Sequence, residues 1–277
     1  MKKGFLIILA LLSGCQATTP SSPTVPQAIN TTYVARSHQP RINAIVIHYT
    51  VADEQRALTL LTGKQVSSHY LIAQYPKDHQ TSPEIYQLVP EDQAAWHAGI
   101  SAWRGTYNLN KTSIGIELVN RGYRLPSGQQ HGHCESYPPQ QIAVLNKLVR
   151  EIADRYKIEP ANIIGHSDIA PLRKVDPGPC FPWQQLAQQG IGAWPDQKRV
   201  NKLLAGRAPD TPVDNALLLP LLKQYGYTFS AHATPQEQRQ VIRAFQMHFQ
   251  PENSSGQGDQ LTLARLQALL LQYPWHH

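Results

Sequence analysis

The sequence has little charge, few cysteines and no long apolar run, and each shortage excludes a class of protein. Charged residues make up 16% of the 277 positions and hydrophobic ones 41%, which excludes disorder, collagen and coiled coil and leaves a globular chain able to bury a core. No apolar stretch reaches the roughly 18 to 20 residues of a spanning helix, so no transmembrane segment is expected. The 25 Lys and Arg exceed the 19 Asp and Glu to give a formal charge of +6, but they form no cluster. A nucleic-acid partner is therefore not expected. Of the three cysteines, one stands at position 15, and the spacing of Cys134 and Cys180 leaves a bridge and two free thiols equally open.

The N-terminus carries a short apolar run instead of a long one. Lys2 and Lys3 precede eight apolar residues at 5–12, and Leu-Ser-Gly-Cys occupies 12–15. A positive start, a short apolar stretch and small residues read as an export signal over 1–14. Leu-Ser-Gly-Cys resembles a bacterial lipobox, which implies that Cys15 is lipidated and becomes the mature N-terminus. Loss of two lysines with the signal lowers the charge to +4. Residues 15–35 then form a lipidated tether, because their Thr, Ser, Pro and Gln cannot offset the entropy of ordering. In lipoproteins of this kind an Asp after the Cys retains the protein in the inner membrane. Gln16 implies instead the outer membrane of a Gram-negative cell, with the protein anchored by lipid and facing the periplasm.

Further along, β-branched or alternating runs predict strands at 42–47, 68–73, 84–89, 113–120 and 163–164, and 3.6-residue periodicity predicts helices at 53–61 and 138–156. Mixed strands and helices indicate an α/β or α+β domain over 36–205. Gly and two prolines mark a linker at 206–213. Beyond it, 214–277 reads as a small helical domain with helices at 215–225, 235–249 and 262–272, Thr234 serving as an N-cap.

The sharpest chemical signal is His48 at a strand end, Gly-His-Ser-Asp at His166, and Arg-Lys-Val-Asp-Pro-Gly-Pro at Asp176. Two imidazoles and a carboxylate suit a catalytic zinc, which takes three protein ligands and keeps a fourth position for water. His166 and Asp176 are too far apart for a local zinc motif, so spacing alone does not settle the ligand set.

Six segments occur in order: V-I-H-Y-T, S-S-H-Y-L-I, A-W-H-A-G, S-I-G-I-E-L-V-N, I-I-G-H-S-D-I-A-P and R-K-V-D-P-G-P-C-F-P-W. Together, over about residues 36 to 194, they resemble the zinc-dependent N-acetylmuramoyl-L-alanine amidases of the type 2 superfamily. The resemblance implies an α/β fold with a mixed central β-sheet flanked by helices, and one Zn2+ per chain held by His48, His166 and Asp176. It implies hydrolysis of the amide between the lactyl group of N-acetylmuramic acid and L-alanine of the stem peptide, in peptidoglycan and muropeptides, anhydro forms included. Glu117 becomes the general base and Lys174 the stabiliser of the oxyanion. His69, Trp96 and His97 match pocket positions, where sugar or peptide contact and a structural hydrogen-bonding role are both open. Asn43 and Arg104 are candidates for meeting substrate carboxylates. Cys180 falls four residues beyond the third ligand, as a core, disulfide or pocket residue. The C-terminal part, with R-A-F-Q-M-H-F-Q-P, resembles the three-helix peptidoglycan-binding domain of wall hydrolases, and a monomer is expected. The competing reading is a non-catalytic peptidoglycan receptor on the same fold. Such relatives typically lose a zinc ligand, whereas this chain keeps all three.

Overall fold

The computed structural model describes residues 29–38, 40–124 and 132–275. Cys15, its signal and most of the expected tether lie outside the described residues. From Pro40 onward the chain forms one compact unit.

Strand β1 (Ala44–Tyr49) is buried at all six positions, as a continuous apolar strand covered on both faces should be. Helix α1 (Glu54–Leu61) follows, its Asp53 side chain accepting a hydrogen bond from the Arg56 N–H as an N-cap. Next come β2 (Tyr70–Ile72), β3 (Ile85–Gln87), a hairpin of β4 (Ala102–Trp103) and β5 (Thr106–Tyr107), and β6 (Ser113–Leu118). A second small hairpin joins β7 (Tyr123–Arg124) to β8 (His133–Cys134), and α2 (Pro139–Tyr156) leads to β9 (Ile163–Gly165). Short helices α3 (His166–Ile169) and α4 (Trp183–Gln188) precede α5 (Gln197–Leu204). The last three helices are α6 (Asn215–Tyr225), α7 (Pro235–Phe249) and α8 (Gln260–Gln272). Thr234 caps α7 in a capping box with Glu237, as its Thr-x-x-Glu spacing predicts.

Among the described residues the main sheet runs β3-β2-β6-β1-β9. Four strands are parallel and β3 pairs antiparallel at the edge, so the sheet is mixed, as the resemblance implied. On one face α2 sets Ile142, Leu145, Val149 and Ile152 against Ile45, Ile47, Ile114 and Ile116. Each such side chain contributes about 1.5–3 kcal/mol by leaving water. The other face presents Ala44, Val46 and Ile164 to a core shared with Leu218, Tyr225, Phe245 and Leu266 of the C-terminal helices.

The segment 206–213, expected as a linker, is tied down. Val213 N–H donates to Gly258 O, and the N–H groups of Gln260 and Leu261 donate back to Thr211 O and Pro209 O. Helices α4 and α5 are additional to the elements expected from the sequence.

Cys134 and Cys180 form a disulfide with Cα atoms 6.1 Å apart. It ties β8 to the segment just beyond Asp176. Closing 46 residues restricts the unfolded chain by an amount worth about 4 kcal/mol in the loop-entropy model.

Candidate metal centre and active site

Parallel register brings the first two functional side chains together. His48 of β1 sits directly opposite Glu117 of β6, so both project from the same sheet face on strands about 4.8 Å apart. The third arrives at the end of β9, where Gly165 gives way to His166. A Cβ on Gly165 would lie 2.7 Å from Pro177 Cδ, so glycine is what lets the Asp176 turn approach the end of β9. Ser167 N–H donates to Asp176 O at 2.8 Å and locks the two segments together.

The result is a triangle of donor atoms. His48 Nδ1 and His166 Nδ1 lie 2.9 Å apart, and Asp176 Oδ2 is 3.0 and 3.1 Å from them. All three residues are buried, and among the described residues they form the one cluster of this composition able to hold a metal ion. A tetrahedral zinc with bonds of about 2.0 Å holds its ligands roughly 3.3 Å apart, close to these edges.

Hydrogen bonds behind the triangle assign the tautomers. Ser113 Oγ–H donates to Leu109 O, which can only accept, at 2.6 Å. Ser113 Oγ is then the acceptor for His97 Nε2–H at 3.3 Å, and His97 Nδ1 the acceptor for His48 Nε2–H at 3.0 Å. That leaves a lone pair on His48 Nδ1, aimed into the triangle. His166 Nε2–H reaches Ala98 O at 3.2 Å, which leaves His166 Nδ1 equally free. Backbone and side-chain acceptors behind ligating histidines orient metal sites in this way. Gly115 makes room for the relay, since a Cβ there would meet the His97 ring at 2.5 Å.

Electrostatics suit the same assignment. Burial and the neighbouring His166 hold His48 down to about 4, against the pull of Asp176. Burial and His48 hold His97 well below its usual value. Both rings are thus neutral near pH 7, as ligation and relay require. Burial alone would raise Asp176, but His166 and His48 win and keep it well below the usual carboxylate range. It stays ionised. Burial pushes Glu117 the other way, up to about 8, with the Asp176 charge adding and Lys174 opposing. Among the described residues Glu117 Oε2 is buried without a hydrogen-bond partner, and Glu117 lines the same pocket as the triangle.

That pocket, about 250 Å³, is lined by His48, His166, Asp176, Glu117, Lys174, His97 and Trp96, with Val51, Leu60 and Val66 on an apolar side. Trp96 is 54% exposed at its mouth. Three residues considered for substrate contact, His69, Asn43 and Arg104, are not among those lining the pocket. His69 is fully buried, accepting from Gly115 N–H at Nδ1 and donating from Nε2 to Gln93 O, so its ring supports β6. Asn43 precedes β1, at the far end of that strand from His48 and roughly 16 Å away along it. Arg104 donates to Tyr225 O and Tyr273 O and is spent on holding the C-terminal helices. The apolar side of the pocket is not marked in the sequence, because scattered Val and Leu positions carry no motif, and Ser113 opens S-I-G-I-E-L-V-N without any local sign of its part in the relay.

Comparison with known proteins agrees with this geometry. The family model for N-acetylmuramoyl-L-alanine amidase matches residues 38–179, which span all three triangle residues, Glu117 and Lys174. The amidase AmiD of Escherichia coli K12 is 52% identical over 275 residues, covering 99% of both chains. The E. coli AmiD structure in complex with anhydro-N-acetylmuramic acid-L-Ala-D-gamma-Glu-L-Lys superposes with a TM-score of 0.85 at 54% identity, over 90% of this chain and 96% of that one. AmpDh3 of Pseudomonas aeruginosa, with anhydromuramic pentapeptide, gives 0.82 at 38% identity over 90% and 100%. With the six motifs, the mixed sheet and the donor triangle all in place, the chain belongs to the N-acetylmuramoyl-L-alanine amidase family.

Proposed function

We propose that this chain hydrolyses the amide between the lactyl group of N-acetylmuramic acid and L-alanine of the stem peptide, with zinc held by His48 Nδ1, His166 Nδ1 and Asp176 Oδ2. The observation that carries the proposal is the unpartnered Glu117 oxygen in a residue that lines the same pocket as the triangle of ligand atoms. Zinc, when bound, supplies Lewis acidity and makes water a nucleophile at neutral pH.

The chain's own groups divide the remaining work. With the positive charge of a bound metal ion beside it Glu117 would ionise, and its carboxylate then takes a proton from the attacking water and delivers it to the amide nitrogen as the C–N bond breaks. The lactyl carbon gains the water oxygen, and L-alanine leaves as a free amine. Lys174, on the pocket wall, stabilises negative charge on the carbonyl oxygen, an effect typically worth a few kcal/mol. Trp96 and the side formed by Val51, Leu60 and Val66 give apolar surface for the sugar ring and the lactyl and alanyl methyls. The anhydro-muramyl peptides bound by AmiD and AmpDh3 support anhydro-muropeptides among the substrates.

The same reading extends to location. Lipidation at Cys15 anchors the enzyme in the outer membrane of a Gram-negative cell, facing the periplasm, and it acts as a monomer on peptidoglycan and muropeptides. The identity to an E. coli amidase over both whole chains supports a Gram-negative setting.

Chelation tests the mechanism. Dialysis against a strong chelator should abolish release of stem peptide from a soluble muropeptide, and one equivalent of zinc should restore it. Full activity in protein shown by elemental analysis to be metal-free would sink the proposal.

A further inference from the structure

The C-terminal helices reach the metal centre through one buried carboxylate. Asp168 lies two residues beyond His166 and is fully buried. Its Oδ2 accepts from the Gly165 N–H at 2.8 Å, immediately before His166. Its other partners come from the far end of the sequence. Tyr227 O–H donates to Oδ1 at 2.5 Å, and His248 Nδ1–H donates to Oδ2 at 2.7 Å.

Both partners are themselves fixed. His248 is stacked between Trp183 and Phe249, with ring centroids 3.9 and 3.8 Å away. Tyr227 packs edge-on against Trp103, 5.2 Å between centroids. Arg104 closes the same seam from the sheet side through Tyr225 O and Tyr273 O, and its N–H donates to Gly226 O.

Removing either partner would leave a buried carboxylate short of donors, a costly condition that a side chain escapes by moving. Movement of Asp168 releases the Gly165 N–H and with it the start of α3, where His166 hangs. We infer that Tyr227 and His248 are positioning residues: through Asp168 they hold His166 Nδ1 in the donor triangle, so the C-terminal helices are part of the metal site's support. This rests on the zinc reading proposed above. It assigns these helices a role separate from any wall binding.

The test uses the full mature chain and two readouts, zinc affinity by competition with a chromogenic chelator and kcat and KM on a soluble muropeptide at saturating zinc. Tyr227→Phe removes one hydroxyl from a packed ring and is the variant least able to disturb folding. His248→Leu removes the second donor, and His248→Gln restores an N–H. Outer partners of metal ligands typically contribute 10- to 100-fold to metal affinity or activity. Tyr227→Phe and His248→Leu should each weaken zinc binding about 10-fold, lower kcat and leave KM near the wild-type value, with His248→Gln recovering part of the loss. Zinc affinity and kcat within twofold of wild type in folded Tyr227→Phe protein would overturn the inference, even if its melting temperature fell. Wild-type protein that fails to bind zinc would instead overturn the zinc reading itself, so the two failures are distinguishable.

Discussion

Glu117→Gln is expected to keep the fold and the metal, to cut turnover by about 10²- to 10⁴-fold, and to stabilise the metal-free protein at pH 8. The first effect follows from the role. Glutamine has nearly the same shape but cannot take a proton from water and hand it to a leaving nitrogen. The second follows from burial. In the metal-free protein Glu117 titrates at about 8, against an ordinary value of 4.5. Between those values the native chain keeps a proton that the unfolded chain has released. Stability therefore falls as pH rises through this window, by up to about 1.4 kcal/mol per pH unit. Below it both states are protonated and nothing is lost. Glutamine has no such ionisation, so at pH 8 the variant should exceed the metal-free wild type by about 4 kcal/mol, and at pH 4 it should match it. Denaturant unfolding at the two pH values, with chelator present, checks this. Parallel pH dependences for the two proteins would show that Glu117 is not the buried acid described.

Asp176→Ala has the second large effect, on metal rather than on protons. The carboxylate is buried between two imidazoles and stays ionised because His166 and His48 hold it so. Without it the triangle loses its negative charge and one of three donors. Zinc affinity should fall by more than the roughly 10- to 100-fold typical of losing an outer partner, and turnover at stoichiometric zinc should vanish. Elemental analysis after dialysis measures it directly. Retention of one zinc per chain by the variant would mean that the ligand set is wrong.

What the sequence made legible follows a physical pattern. His48, His166 and Asp176 stood out because each sits in a distinctive local segment at the end of a strand or in a proline-stiffened turn. Glu117 could be placed on a strand face, but its pairing with His48 came only from the parallel register of β1 and β6. Asn43 flanks the strand that carries His48, but at its other end. Arg104 shows a charge in the sequence but not its partners, since the carbonyls it meets lie 121 and 169 residues away. The same distance hid the Asp168 cluster. Nothing local to Asp168 announces a tyrosine 59 residues on or a histidine 80 residues on. Composition placed a linker at 206–213, while the folded chain anchors those residues to the start of α8. Cys134 and Cys180 were undecided by spacing and are joined in the fold.

Breaking the amide between the lactyl group and L-alanine by addition of water leaves an isotopic mark on one side of the cut. Hydrolysis of a soluble anhydro-muramyl tripeptide in 18O-labelled water, followed by mass spectrometry, reads that mark. Two products are expected, an intact peptide beginning with unlabelled L-alanine and a muramyl sugar carrying one 18O in its lactyl carboxylate. Label in a peptide carboxylate, or a sugar still bearing alanine, would place the cut at another bond and show that this chain is not an amidase of the lactyl–alanine linkage.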